Sequence, residues 1–195
     1  MNFFFPLKIE GYNSKLTIPK FQNRSSKNIK YSLFSVKLKE NRWFVSKEKR
    51  EEDESFFYIN ENCDRKIYFL ALENQLELTM KTNFKTLKKL NNLTDTDPAY
   101  RANIQLENTY GGFSSYQSEY PYEMTKKTGS ILSPVTMLTN KNAEKNRILF
   151  KNIYYLPLHE KFNLHLIDIN NKKILKTFPC KTNTTNYFNI TNDLL

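Results

Sequence analysis

The sequence predicts an all-β protein, an antiparallel two-sheet sandwich or jelly roll with at most one or two short helices. Short runs of alternating apolar and polar residues recur along the chain. Polar turn residues separate them, which is the pattern of many short strands. Alanine, the best helix former, occurs only four times in 195 residues, which argues against many helices.

The clearest strand is residues 31–38. Tyr31, Leu33, Ser35 and Lys37 share one parity and Ser32, Phe34, Val36 and Leu38 the other. The second set is the more apolar and is expected to face inward. Comparable runs cover residues 43–46, 56–59, 67–72, 76–80 and 102–106, then 131–138, 147–155, 164–169, 173–178 and 187–190. A hairpin is expected over 163–178, turning at Asn170 and Asn171, because asparagine tolerates positive φ. The helix candidate is 83–93, where Phe84, Leu87, Leu90 and Leu93 fall three apart. Eight consecutive charged residues, 47–54, must form a solvated loop or a short exposed helix. Residues 94–98 break the chain again, since Pro98 pushes Asp97 towards an extended conformation.

With 39% hydrophobic, 26% charged and 14% aromatic residues, the chain belongs with folded globular proteins. Its length and the lack of any composition step or repeat point to a single domain over 1–195. The net charge of +10 is uneven: residues 1–50 carry twelve Lys or Arg against three acids, and residues 51–100 carry six against ten. A basic first quarter attracts phosphates if its lysines converge; scattered on solvated strand faces, which is the leading reading, they give the same count.

Cys63 and Cys180 lie far apart with no CxxC and are read as free thiols, although export would allow them to pair. The N-terminus lacks a charged n-region, and Pro6 breaks its apolar run. No segment approaches the ~20 apolar residues of a membrane span. A cytoplasmic setting is therefore the default expectation.

The patterns of catalysis are largely missing. His159 and His165 are the only histidines and have no third ligand close in sequence, so no metal site is expected. There is no GxSxG elbow and no GxxxxGK phosphate loop. Asp95 and Asp97 form a D-x-D pair outside the parallel α/β context that would make it a metal-nucleotide site, and read as turn formers. Glu119 and Glu123 form a possible glycosidase pair, but as two acids in a tyrosine-rich loop they read as solvated. No cofactor is expected, and an enzyme is the less favoured class.

The most distinctive segment is 110–124, which sets five aromatic rings among hydroxyls, an amide and two carboxylates, with Gly111 and Gly112 adjacent. Tyrosine offers a large, firm, hydrogen-bonding surface with few rotatable bonds. Sugars present C–H faces that stack on rings and hydroxyls that seek amides and carboxylates. Tyr110, Phe113, Tyr116, Tyr120 and Tyr122, with Arg101, Asn103, Gln117 and Glu119, thus form a candidate glycan platform. The competing reading sends these rings into the core, with Pro121 on an edge strand.

The expectation is a non-catalytic module that binds a carbohydrate or glycan. A structural assembly subunit, such as a capsid, tail or surface jelly roll, is one alternative, with the aromatic loop as a contact between protein copies. A single-stranded nucleic-acid binder is another, through Tyr31, Lys37, Lys39, Arg42, Trp43, Phe44, Lys47 and Lys49. Oligomerisation is compatible with all three.

Overall fold

The computed structural model describes residues 3–6, 10–20, 31–60, 66–71, 102–108, 113–117, 142–143, 146–152, 154 and 156–194. The expected strands at 76–80 and 131–138, the expected helix at 83–93 and the break at 94–98 lie outside the described residues. Contacts divide the chain into two compact units, Met1–Met124 and Thr125–Leu195. Every strand pair among the described residues is antiparallel. The fold is all-β, and the helical structure among the described residues is one 3-10 turn at Asn192–Leu194.

The first unit holds β1 (Phe3–Phe4), β2 (Tyr12–Pro19), β3 (Ser32–Lys39), β4 (Arg42–Lys47), β5 (Glu51–Glu52), β6 (Phe56–Ile59), β7 (Lys66–Ala71), β8 (Asn103–Asn108) and β9 (Phe113–Gln117). They form a four-stranded sheet ordered β1-β7-β3-β4 and a five-stranded sheet ordered β5-β6-β2-β8-β9. One hydrophobic cluster draws on both sheets. Phe4, Leu33, Tyr68 and Leu70 come from the first, and Leu16, Ile18, Phe57, Ile59 and Ile104 from the second.

β2 lies at the centre of its sheet although its apolar row is short in sequence. Tyr12, Ser14, Leu16 and Ile18 share one parity, and a serine occupies a buried position in that row. β1, β2 and β9 were not expected, nor was β5. Glu51 and Glu52 are solvent-exposed as their charge requires, but their backbones pair with Tyr58 and Phe57.

The facing of β3 differs from expectation. Leu33 and Ser35 are buried as completely as Phe34 and Val36, and Leu33 belongs to the core cluster shared by the two sheets. Phe34 pairs with Phe69 and Val36 with Ile67, and all four side chains are buried as well. A strand covered on both faces loses the simple alternation that a one-sided strand shows. β3 returns into β4 through Glu40 and Asn41, at φ 50° and 56°. Lys39 pairs with Arg42 across them, so this is a two-residue turn of the type whose twist suits a hairpin.

The second unit holds β10 (Asn146–Lys151), β11 (Lys161–Asp168), β12 (Lys173–Lys181) and β13 (Thr185–Ile190), paired as β10-β13 and β11-β12. Four phenylalanines join the pairs. Phe178 stacks on Phe188 at 4.3 Å, and Phe150 meets Phe188 and Phe162 edge-on at 6.3 and 6.4 Å. The expected hairpin forms. Its positive φ falls on Lys172 rather than on the asparagines, because the Asp168 carboxylate accepts from the backbone N–H of Asn170 and Asn171 and holds both in the turn. Asn183, at φ 57°, anchors the chain leading into β11. Its amide donates to the carbonyls of Leu156 and Leu158 and accepts from the Tyr154 N–H.

Candidate functional site

The outer face of the five-stranded sheet gathers hydrogen-bonding side chains from several strands. On β2, burial of Leu16 and Ile18 sends Asn13, Lys15 and Thr17 to the opposite face. Register sets Asn103 of β8 beside Thr17, Gln105 beside Lys15 and Glu107 beside Asn13. Tyr58 of β6 lies on the other side of Thr17, and Glu51 of β5 beyond it. A single row therefore runs Glu51, Tyr58, Thr17, Asn103 and, by backbone register, Gln117 of β9. Five strands give it a width of about 19 Å.

Next to this row, β6 ends at Ile59 opposite Leu16. A shallow depression of about 250 Å³ opens there, lined by Asn13, Ser14, Lys15, Asn60 and Glu107. The ring beside it is held in place. The Tyr58 hydroxyl donates to the Asp53 carboxylate, which also accepts from the Ser55 and Phe56 N–H groups at 2.7 Å each. The hydrogen bond from Tyr58 is the first cause holding the Asp53 carboxyl below its ordinary value, and the same bond pushes the Tyr58 hydroxyl up. Lys15 places its ammonium 5.4 Å from the Tyr58 ring centroid. Amides, carboxylates, a hydroxyl and one ring on one face offer hydrogen-bond donors, acceptors and a stacking surface to a polar ligand.

The expected site is only partly brought together. Asn103 is half-exposed in the row, and the backbones of Gln117 and Phe113 pair with Asn103 and Glu107. The Tyr116 backbone pairs with Ile104. Arg101, Tyr110, Glu119, Tyr120 and Tyr122 lie outside the described residues. Sequence reasoning missed Asn13, Lys15, Tyr58, Asn60, Gln105 and Glu107. The regular polar parity of residues 13–17 and 103–107 is the signal that points to them.

The basic first quarter divides. Lys37 pairs with Phe44 and Lys39 with Arg42, so these four share a face, with Phe44 48% exposed. Tyr31 packs against the core, where burial pushes its hydroxyl up. Trp43 and Lys47 take the opposite parity, pairing with Leu38 and Phe34. Residues 48–50 lead from β4, at one edge of its sheet, to β5, and β9 is at the far edge of the second sheet. The basic hairpin β3-β4 and strand β9 thus belong to different sheets.

Elsewhere, His159 Nδ1–H donates to the Thr182 carbonyl at 2.8 Å, and His165 Nδ1 lies 3.0 Å from the Thr177 hydroxyl. Cys180 is buried, which pushes its thiol up, and Cys63 lies outside the described residues. Among the described residues no group of three His, Cys, Asp or Glu could hold a metal ion, and no helix is long and apolar enough to cross a membrane. No family model matches the chain, and neither a curated protein nor a solved structure matches it significantly.

Proposed function

We propose that this protein is a non-catalytic carbohydrate-binding protein, the two sheets of its first unit stacked as a sandwich, with the ligand lying across the outer face of the five-stranded sheet. The observation that carries this reading is the row through Tyr58, Thr17 and Asn103, with Gln105 and the 250 Å³ depression alongside. A sugar ring packs on Tyr58 while its hydroxyls exchange hydrogen bonds with Asn103, Gln105, Asn60 and Glu107. The test is a glycan array on the whole chain, followed by calorimetry on any hit. Tyr58→Ala should weaken binding by about 1–3 kcal/mol and the Asn103→Ala, Gln105→Ala pair by a similar amount. An empty array, or a hit insensitive to both changes, refutes the reading.

Phe44 supports a second reading, single-stranded nucleic-acid binding. An exposed ring among Lys37, Lys39 and Arg42 suits a stacked base flanked by phosphates. Oligonucleotide affinity should then fall steeply with salt and drop on Phe44→Ala. Because the two faces belong to different sheets, Phe44→Ala leaves glycan binding intact under the first reading and Tyr58→Ala leaves oligonucleotide binding intact under the second.

A further inference from the structure

The β11-β12 hairpin carries a surface that the glycan reading does not use. At its base, Phe162 and Phe178 pack against Phe150 and Phe188. Beyond Leu166 the character changes. Ile167 and Ile174 form a cross-strand pair at 44% and 54% exposure, and Ile169 in the turn is 67% exposed. The register shifts between Leu166 and Ile167, leaving Leu175 as the extra residue on β12, where it is 39% exposed. Four aliphatic side chains thus stand in water at the end of a two-stranded ribbon.

The charge around them is mainly positive, with Asp168 acting on Lys173 and Asp193 on Lys176. Lys172, Lys173 and Lys176 are exposed, and Asp168 is the single acid between Lys161 and Lys181. That carboxylate is engaged inside the turn by Asn170 and Asn171. The tip therefore presents aliphatic side chains beside the exposed Lys172 and Lys173, with the Lys176 ammonium further back, 5.4 Å from the Phe178 ring centroid.

We propose that the β11-β12 tip docks on an anionic lipid surface, its isoleucines entering the headgroup boundary while the lysines meet lipid phosphates and carboxylates. Two features favour lipid over a protein partner. The apolar residues are isoleucine and leucine with no Trp, Tyr or Arg among them, whereas firm protein interfaces centre on those three types. A convex aliphatic tip needs no complementary pocket in a fluid boundary, and long lysine side chains reach back to the headgroups from partly inserted positions. A second copy of the same tip is opposed by its like charge. This contact is a surface attachment and crosses no bilayer.

Co-sedimentation of the whole chain with phosphatidylcholine vesicles, with and without phosphatidylserine, tests it. Binding is expected only to the phosphatidylserine vesicles and should weaken as salt rises. Lys173→Gln with Lys176→Gln should lower the partition coefficient about 30-fold, at about fivefold per lysine near an anionic surface. Ile169→Ser with Ile174→Ser should lower it about tenfold or more. All four positions are solvent-exposed, and the wild-type salt and lipid dependence stands without any variant. The proposal is overturned by an absence of binding to phosphatidylserine vesicles, or by binding that survives the isoleucine changes. It is equally overturned if the protein binds poly-glutamate but no vesicle, which marks an acidic protein partner. Vesicle binding that is lost with Lys39→Gln and Arg42→Gln, yet kept with the hairpin changes, assigns the attraction to β3-β4 and also overturns it.

Discussion

Replacing Glu48 by Gln should cost the first unit about 2–3 kcal/mol of stability. The side chain is 8% exposed and sits between β3, β4 and β7. It accepts from Ser35 Oγ at 2.6 Å, Ser46 Oγ at 3.2 Å and Arg50 Nη2 at 2.9 Å, and Lys66 Nζ reaches both of its oxygens at 3.1 Å. Glutamine substitutes an NH₂ for one of those oxygens and turns donors towards donors. Breaking a fully buried pair costs about 3–5 kcal/mol. Arg50 and Lys66 keep 18% and 25% of their side-chain exposure, so water recovers part of the loss. Burial alone pulls the Glu48 carboxyl up, but hydrogen bonds from Ser35 and Lys66 and the charges of Lys66 and Arg50 outweigh it, leaving it below its ordinary value. A carboxyl lowered by folding contributes stability that is present above its unfolded value of about 4.3 and is lost as pH falls through the lower folded value. Urea unfolding across pH should therefore show a wild-type acid decline that Glu48→Gln flattens. Lys66→Met added to Glu48→Gln should recover part of the loss, since it removes a cation left unpaired. A loss under about 0.5 kcal/mol, the range of ordinary surface changes, would refute the reasoning.

Other expectations follow from single positions. Asn183→Gly keeps the φ of 57° but removes three side-chain hydrogen bonds, so calorimetric unfolding should register about 1–3 kcal/mol of loss. Asn183→Ala, which adds backbone strain, should lose more. In the β3-β4 turn, Glu40→Asn with Asn41→Gly suits two consecutive positive φ values and should raise stability by about 0.5–1 kcal/mol; a decrease in the urea midpoint would count against the assigned turn.

Strand content and the 163–178 hairpin were legible because alternation and turn residues act over a few neighbours. Residues 56–59 show the same: Phe57 and Ile59 are buried on one parity, with Phe56 and Tyr58 on the other. β2 was hidden because the buried Ser14 interrupts its apolar row, and its central place depends on being flanked by β6 and β8. β5 was hidden because its two exposed glutamates carry no apolar signal and join the sheet through backbone pairing, with one ion pair from Glu52 to Lys20.

The site was least legible where it depends on register. Local composition drew attention to residues 110–124, yet the row that unites Tyr58, Thr17 and Asn103 joins residues more than eighty positions apart. Parity along a strand is a local property and can be read from one segment. Which segments become neighbours is decided by pairing between distant parts of the chain, as is the burial of both faces of β3, and that is where tertiary structure alone decides. The lysines illustrate the division. The sequence by itself determined their number and their concentration in the first quarter, whereas folding divided them, bringing Lys37 and Lys39 beside Phe44 and joining Lys66 to the nearly buried Glu48.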